Sequence, residues 1–320
     1  MTDKQYDVVV VGGGAAGLSG ALALARARRR VLVVDAGTPR NAPAQQVHNY
    51  LGRDGTPPGE LLAAGRAEVA GYGGEVVTGT VTDAKPDGGG FRVTLAGGNQ
   101  VEARRLLATT GLVDELPDLP GLAERWGRTV LHCPYCHGWE VRDQPIGILA
   151  TGPRAVHQAL LWRQWSADVT LFVHTGPAPT GEEQARLDAR GIRVTTGEVA
   201  ALEGGADVRL RDGTLVPRQA VVVATRLTAR SELLVSLGLE PVEQEVNGEV
   251  IGTRVPADPT GATAVPGVWV AGNVTDPLAQ VIGSAAAGLT AGAAINADLV
   301  MEEASRAEPP ARADSAAAAG

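Results

Sequence analysis

Residues Asp7 to Val11 read Asp-Val-Val-Val-Val, a short β-branched run without polar alternation that stops at a glycine cluster. Such a run predicts a strand covered on both faces, as in a parallel sheet. From Ala15 to Arg29 the apolar positions recur at helical spacing, and Val31 to Val34 form a second buried run. Strand, turn, helix and strand follow one another again at Ile146–Ala150, Arg154–Ser166 and Val169–His174. Between the two units, "EVVTGTVTDAKPDGGGFRVTLAGG" alternates as strands do, with "DGGG" as a hairpin turn. "RRLLATTGLVDELPDLPGL" is a strand running into a Pro-punctuated crossover, and "QAVVVATRLTARSELL" repeats that ending further on. After Pro241 come a strand, a loop and a long Ala-rich helix in "GVWVAGNVTDPLAQVIGSAAAGLTAGAAINADLV". A helix with such small side chains predicts close packing on a flat cofactor or a sheet.

The glycines give the first unit its chemistry. Gly12-x-Gly14-x-x-Gly17 sits where strand becomes helix, suiting a tight bend, a backbone open to a pyrophosphate, and close helix–strand packing. Free N–H groups at the helix start would face the phosphates. Asp35 ends the second strand, about 20 residues on, where a carboxylate can hold a ribose diol. The second unit is degraded: it reads Ala150-x-Gly152-x-x-Ala155, and Pro153 lacks the N–H its position would offer a phosphate. Its second strand ends in "FVHTGPAP", with neither an acid for a ribose nor arginines for a 2′-phosphate. The expected fold is α/β, two Rossmann-like three-layer nucleotide-binding domains with the second inserted in the first. Residues 1–116 and 242–301 form the first domain, 117–241 the inserted one, and the Ala-, Pro- and charge-rich segment 302–320 is expected to be disordered.

Composition narrows the classes. The 320 residues are 44 % hydrophobic and 20 % charged, with a net charge of −8, which argues against a nucleic-acid partner. The basic cluster Arg26–Arg30 ends a helical pattern and reads as a solvated, dipole-matched last turn. "MTDKQYDVVVVGGG" has the pattern of neither a signal peptide nor a membrane span, so a cytoplasmic protein is expected. In that compartment a lone cysteine pair is more often catalytic or metal-binding than structural.

The two cysteines both lie in "HCPYCHGWE", residues 132–140. Cys133-x-x-Cys136-His137 spells a c-type haem attachment site, half of a zinc site, and a redox dithiol. Haem attachment needs export and usually a distal axial ligand, and the methionines are Met1 and Met301. Zinc would need His132 and His137, immediate neighbours of the cysteines, to close around one tetrahedral ion, with no second CxxC or HxxxH. A dithiol at a helix start fits best. Residues three apart bring both sulfurs to one face, the helix N-terminus favours the thiolate, and Pro134 suits an early helical position. His137 is then a candidate base, or else a plain surface or hydrogen-bonding residue, while His132, His157 and His174 read as structural.

Two Rossmann-like units with a CxxC opening the inserted one resemble the low-molecular-weight thioredoxin reductases over roughly residues 6 to 300. "GGGAAG" with Asp35, the "ATTG" strand end, "CPYC" and "GVWVAGNV" carry that resemblance. The departures (His137 where reductases have an acid, the degraded second motif, and "AGN" with Asn273 in place of "AGD") look like the dithiol oxidases that close the disulfides of gliotoxin, holomycin and related natural products. The Ala/Gly/Arg/Val bias of high-G+C bacterial genes points to a bacterial, holomycin-like dithiol. The resemblance implies FAD on the first domain, a homodimer, oxygen as electron acceptor, and Cys133, Cys136 and His137 as the catalytic set. FAD contacts carried over by position are Gly12, Gly13, Gly14, Ala15, Ala16, Gly17, Asp35, Arg40, Asn41, Asn49, the backbone of Val81, Thr110, Gly111, Asn273, and the backbone around Gln280 and Val281. His48, beside Asn49, is a further candidate near the flavin ring. The rival expectation is a thioredoxin reductase fed by NADPH or another donor.

Overall fold

The computed structural model describes residues 5–306. Its first sheet holds β1 (Gln5–Val11), β2 (Val31–Asp35), β3 (Glu75–Thr78), β4 (Val81–Asp87), β5 (Gly90–Leu95), β6 (Gln100–Ala108) and β19 (Val268–Val270). The order is β3-β2-β1-β6-β5-β4, and β19 joins the far half of β6. β1 lies parallel to both β2 and β6. Its side chains alternate, as a strand's must. Val8 and Val10 face α1 (Ala15–Arg26), α2 (Pro58–Gly71) and α7 (Val281–Arg306), while Val9 and Val11 face Phe91, Val93 and Leu234. Leu234 belongs to α6 (Glu232–Ser236). The "DGGG" hairpin joins β4 to β5 with Gly88 and Gly89 at φ 57° and 86°, which glycine adopts without a Cβ clash.

The second sheet is all parallel, in the order β11-β10-β9-β15-β8. Its strands are β8 (Val130–Leu131), β9 (Ile146–Leu149), β10 (Val169–Phe172), β11 (Arg193–Thr195) and β15 (Ala220–Val223). One face packs on Ala155, Ala159 and Trp162 of α4 (Ala155–Trp162) and on Leu187 of α5 (Gly181–Ala189). The other packs on the antiparallel strands β12 (Val199–Glu203), β13 (Asp207–Leu210) and β14 (Leu215–Val216). A one-turn helix, α3 (Pro134–His137), follows β8. Four strands link the two halves: β7 (Leu112–Glu115), β16 (Arg226–Ala229), β17 (Val242–Val246) and β18 (Glu249–Arg254), in the order β17-β18-β16-β7. β16 lies within 117–241, yet it hydrogen-bonds strands on either side of that span.

Several elements differ from expectation. α1 ends at Arg26 rather than Arg29, because Arg28 turns left-handed at φ 65°. Arg29 is not simply solvated: it donates to Asn296 and pairs with Glu303. α4 begins at Ala155 and stops at Trp162, four residues before Ser166. α7 continues through Arg306, so Glu302–Arg306 are helical rather than disordered. Glu302 and Glu303 are held there by Arg104 and Arg105. The remainder of the expected tail, 307–320, lies outside the described residues.

The small face of α7 packs on α1, and its Ala291, Ile295 and Leu299 also pack on Val8, Val10 and Leu107 of the first sheet, as expected. A Cβ on Gly288 would stand 2.0 Å from the Ala16 carbonyl oxygen, and one on Gly292 2.7 Å from that of Gly20. Backbones in such contact cannot admit a methyl group without separating. Gly288→Ala is expected to cost about 3 kcal/mol, the upper end for overpacking, and to lower flavin content. Urea unfolding and the ratio of flavin to protein absorbance measure the two effects.

Candidate active site

The glycine loop after β1 opens on a cavity of about 1110 Å3 that also reaches the dithiol. Gly12 has φ 105°, and a Cβ there would lie 2.5 Å from the Thr109 carbonyl oxygen. Thr109 Oγ1 donates to the Gly12 carbonyl at 2.8 Å. Gly17 seats α1 on β1: its Cβ would fall 1.9 Å from the Gly12 oxygen, so it packs and does not line the cavity. The Gly13 N–H donates to Asp35 Oδ1 at 3.1 Å, tying the loop to the end of β2. Beside Gly14 and Gly111 lies open space.

Gly12–Ala16, Asp35, Asn41, Val81, Thr110 and Gly111 all line this cavity, and so do Asn273, Gln280 and Val281. Arg40 lines it as well, but its guanidinium is already engaged. Nε and Nη2 each donate to the Asp114 carboxylate at 2.7 Å, and Nη1 donates to Asn273 Oδ1 at 3.3 Å. Asn273 in turn donates to the carbonyls of Asp276 and Ala279, at 3.0 and 2.9 Å, fastening the loop that delivers Gln280 to the start of α7. Asn49 is not among the lining residues; its Nδ2 donates to the Tyr135 carbonyl at 2.7 Å and holds the dithiol helix.

Cys133 and Cys136 form a disulfide, with Cα atoms 5.3 Å apart. Cys133 caps α3, Pro134 is its first residue, and the Cys136 and His137 N–H groups point back to the Cys133 carbonyl. One turn of helix supplies little dipole, so placement matters more than field. The ring of Trp165 backs this turn. It meets Tyr135 edge-on at 5.7 Å, and a Cβ on Gly138 would lie 2.9 Å from it.

Two histidines flank the pair. His132 stacks on Trp126 at 5.5 Å and lines the cavity. Burial first, then Arg40, push it down to about 4, against the opposite pull of Asp114. His137 is lowered by burial and by His48, while Glu140 pulls it up. Burial lowers it on balance, so the ring is neutral at neutral pH. His48 stands between Asp54 and Glu140, 3.4 Å from each. His157 lines the cavity, and His174 Nδ1 accepts the Val199 N–H at 3.0 Å.

The second nucleotide-type turn is closed differently. The Ala150 carbonyl accepts the Gly176 N–H at 2.9 Å, and a Cβ on Gly176 would touch Ala150 at 3.0 Å. The "HTGPAP" loop thus lies down on the strand end where a first fingerprint glycine would be.

Thr109, Asp114, Thr225 and Glu140 belong to the site and were not foreseen. Thr109 sits inside the "ATTG" strand end. Asp114 and Thr225, which donates to it at 3.0 Å, lie on the two similar strand endings. That repeat was the available signal for both. Among the described residues no group of three or more His, Cys, Asp or Glu is placed to hold a metal, and no helix is long and apolar enough to cross a membrane.

Bare backbone at Gly14 and Gly111, an anchored acid at Asp35 and a disulfide on the same cavity fit FAD beside a dithiol. Fold and site define a flavin-linked thiol:disulfide oxidoreductase. The sequence profile of the pyridine nucleotide-disulphide oxidoreductases matches residues 6–298, and the chain belongs to that family. It is 32 % identical to thioredoxin reductase tcpT of Claviceps purpurea, covering 94 % of this chain and 96 % of that one. With thioredoxin reductase sirT of Leptosphaeria maculans the identity is 30 %, over 91 % and 93 %. The crystal structure of HlmI superposes with a TM-score of 0.86 at 47 % identity, over 93 % of this chain and 94 % of that one. An oxidoreductase from Agrobacterium tumefaciens gives 0.88 at 38 %, over 93 % and 99 %.

Burial alone would raise Asp114, but Arg40 holds its carboxyl below the ordinary carboxylate range. A lowered pKa stabilises the fold above the unfolded value, and that contribution fades as pH falls through the folded one. Asp114→Asn is expected to cost about 3 kcal/mol at neutral pH by stranding Arg40, and the deficit is expected to shrink in acid. Unfolding curves at pH 7 and in mild acid check both.

Proposed function

We propose that this protein is an FAD-dependent dithiol oxidase that closes an intramolecular disulfide in a small-molecule dithiol, a natural product of holomycin type, with oxygen reduced to hydrogen peroxide. The observation that carries it is the asymmetry of the two nucleotide-type turns. The first opens with the disulfide onto one large cavity, while the second has its strand end covered by the Gly176 loop.

A substrate thiolate attacks Sγ of Cys133, breaking the Cys133–Cys136 bond and leaving Cys136 as a thiolate. His137 takes the proton from the second substrate thiol. That sulfur attacks the substrate sulfur of the mixed disulfide, closing the product ring and releasing Cys133 as a thiolate. Rejoining Cys133 to Cys136 gives up two electrons. FAD, when bound, supplies the acceptor for that pair, with oxygen as its final destination. Tyr135, exposed and lining the cavity beside the pair, offers a face to a flat substrate. In this reading Gly12–Ala16, Asp35, Thr110, Gly111 and Gln280–Val281 hold FAD, and Arg40, Asn49 and Asn273 support the walls. The domain division at 117–241, a homodimer and a cytoplasmic location belong to the same proposal.

A second reading is favoured by the relatives that are themselves described as thioredoxin reductases: electrons enter from NADPH or another donor. Anaerobic mixing with NADPH separates the two. The oxidase reading expects an unbleached flavin band, together with oxygen uptake on adding a small dithiol that is lost in Cys136→Ser. Rapid bleaching by NADPH would sink it.

A base must be neutral to work, so activity should fall as pH drops through the His137 pKa, which burial holds below the ordinary imidazole value. His137→Gln is expected to remove this acid limb from the kcat/KM profile and to slow turnover about 100-fold.

A further inference from the structure

A second cavity of about 350 Å3 adjoins the one described, sharing Arg154, Gln158, Ala224 and Thr225 with its lining, and lies over the degraded Gly152 turn. Glu249, the first residue of β18, reaches into it from the β17–β18 hairpin. Its Oε1 stands 3.0 Å from where a Cβ on Gly152 would be, the one atom met within 4 Å of that point among the described residues, chain neighbours aside. Its Oε2 is 3.1 Å from Arg154 Nε, the residue just before α4. Both of these atoms are cut off from solvent. A glycine turn leading into a helix, with an arginine beside it, is a seat for a phosphate. Here a carboxylate of the chain itself sits at that place and takes up the arginine's charge.

We propose that Glu249 is a specificity-determining residue whose carboxylate occupies the anion seat of the inserted unit and so bars pyridine dinucleotides. Ala150 and Pro153 remove favourable contacts, whereas Glu249 adds a repulsive one, and discrimination uses both. Glu115 lines the same cavity and adds a second acid, while Arg226 is its other cation. The inference rests on the oxidase reading, in which electrons do not enter from NADPH.

The test uses flavin-loaded enzyme and inorganic pyrophosphate as the probe, followed by calorimetry, with NADPH bleaching as the second readout. Wild type is expected to bind pyrophosphate at this seat only weakly. Glu249→Ala frees Arg154 and should tighten binding by about tenfold or more; Glu249→Gln, which keeps the shape and loses the charge, should gain less. Adding Arg154→Ala to Glu249→Ala should abolish the gain. Unchanged dithiol oxidation in both single variants shows that they are folded. If neither variant binds pyrophosphate better than wild type, or the gain survives loss of Arg154, the role of Glu249 is overturned and the oxidase reading stands. Bleaching of the wild-type flavin by NADPH overturns both.

Discussion

The site depends on a junction where side chains have been removed so that three pieces of backbone can touch. β1 gives way to a turn at Gly12, α1 turns over it at Gly17, and α7 comes down on Ala16 through Gly288. Each contact would be blocked by a single methyl group. The cavity wall for a dinucleotide is therefore the exposed side of a packing arrangement, and binding and folding share the same glycines. Thr109 completes the junction from β6, donating to the carbonyls of Val11 and Gly12.

From this junction the structure reaches the dithiol through polar ties. Arg40 joins Asp114 and Asn273, Asp114 also accepts from Thr225 beside β15, and Asn49 holds the Tyr135 carbonyl in α3. Two of these links, Thr225 to Asp114 and Asn49 to Tyr135, join residues of 117–241 to residues outside that span. Arg40 has 23 % and Asp114 only 7 % of its side chain exposed, so the pair is one whose partners cannot be parted cheaply. The disulfide can sit on a one-turn helix because its neighbours, rather than the helix itself, hold it in place.

Period and glycine spacing made the two parallel sheets legible, because a buried parallel strand leaves an unbroken apolar run. The dithiol was legible because so few chemistries use Cys-x-x-Cys-His in this setting. Contacts formed only by long-range folding were not legible. Nothing local shows that Arg40 would be spent on Asp114, or that Asn49 would turn toward Tyr135. The end of α7 was misread because Ala-rich, charged residues look alike in a disordered tail and in a helix held by arginines 200 positions away, about the separation of Arg105 and Glu302. Helix ends are also where local signals are weakest.

The two histidines beside the cysteines show how surroundings divide roles that sequence leaves equal. Taking a proton from a thiol turns an imidazole into a cation. Beside His132 stands Arg40, which disfavours that cation, and burial disfavours it further. Beside His137 stands Glu140, whose carboxylate favours it. Asp114 favours the cation at His132 as well, yet burial and Arg40 outweigh it and push that ring down to about 4, whereas at His137 burial and His48 work against Glu140. The proposal that His137 is the base rests on that difference in surroundings. His132, stacked on Trp126, is suited instead to remain neutral and fill the wall behind Cys133.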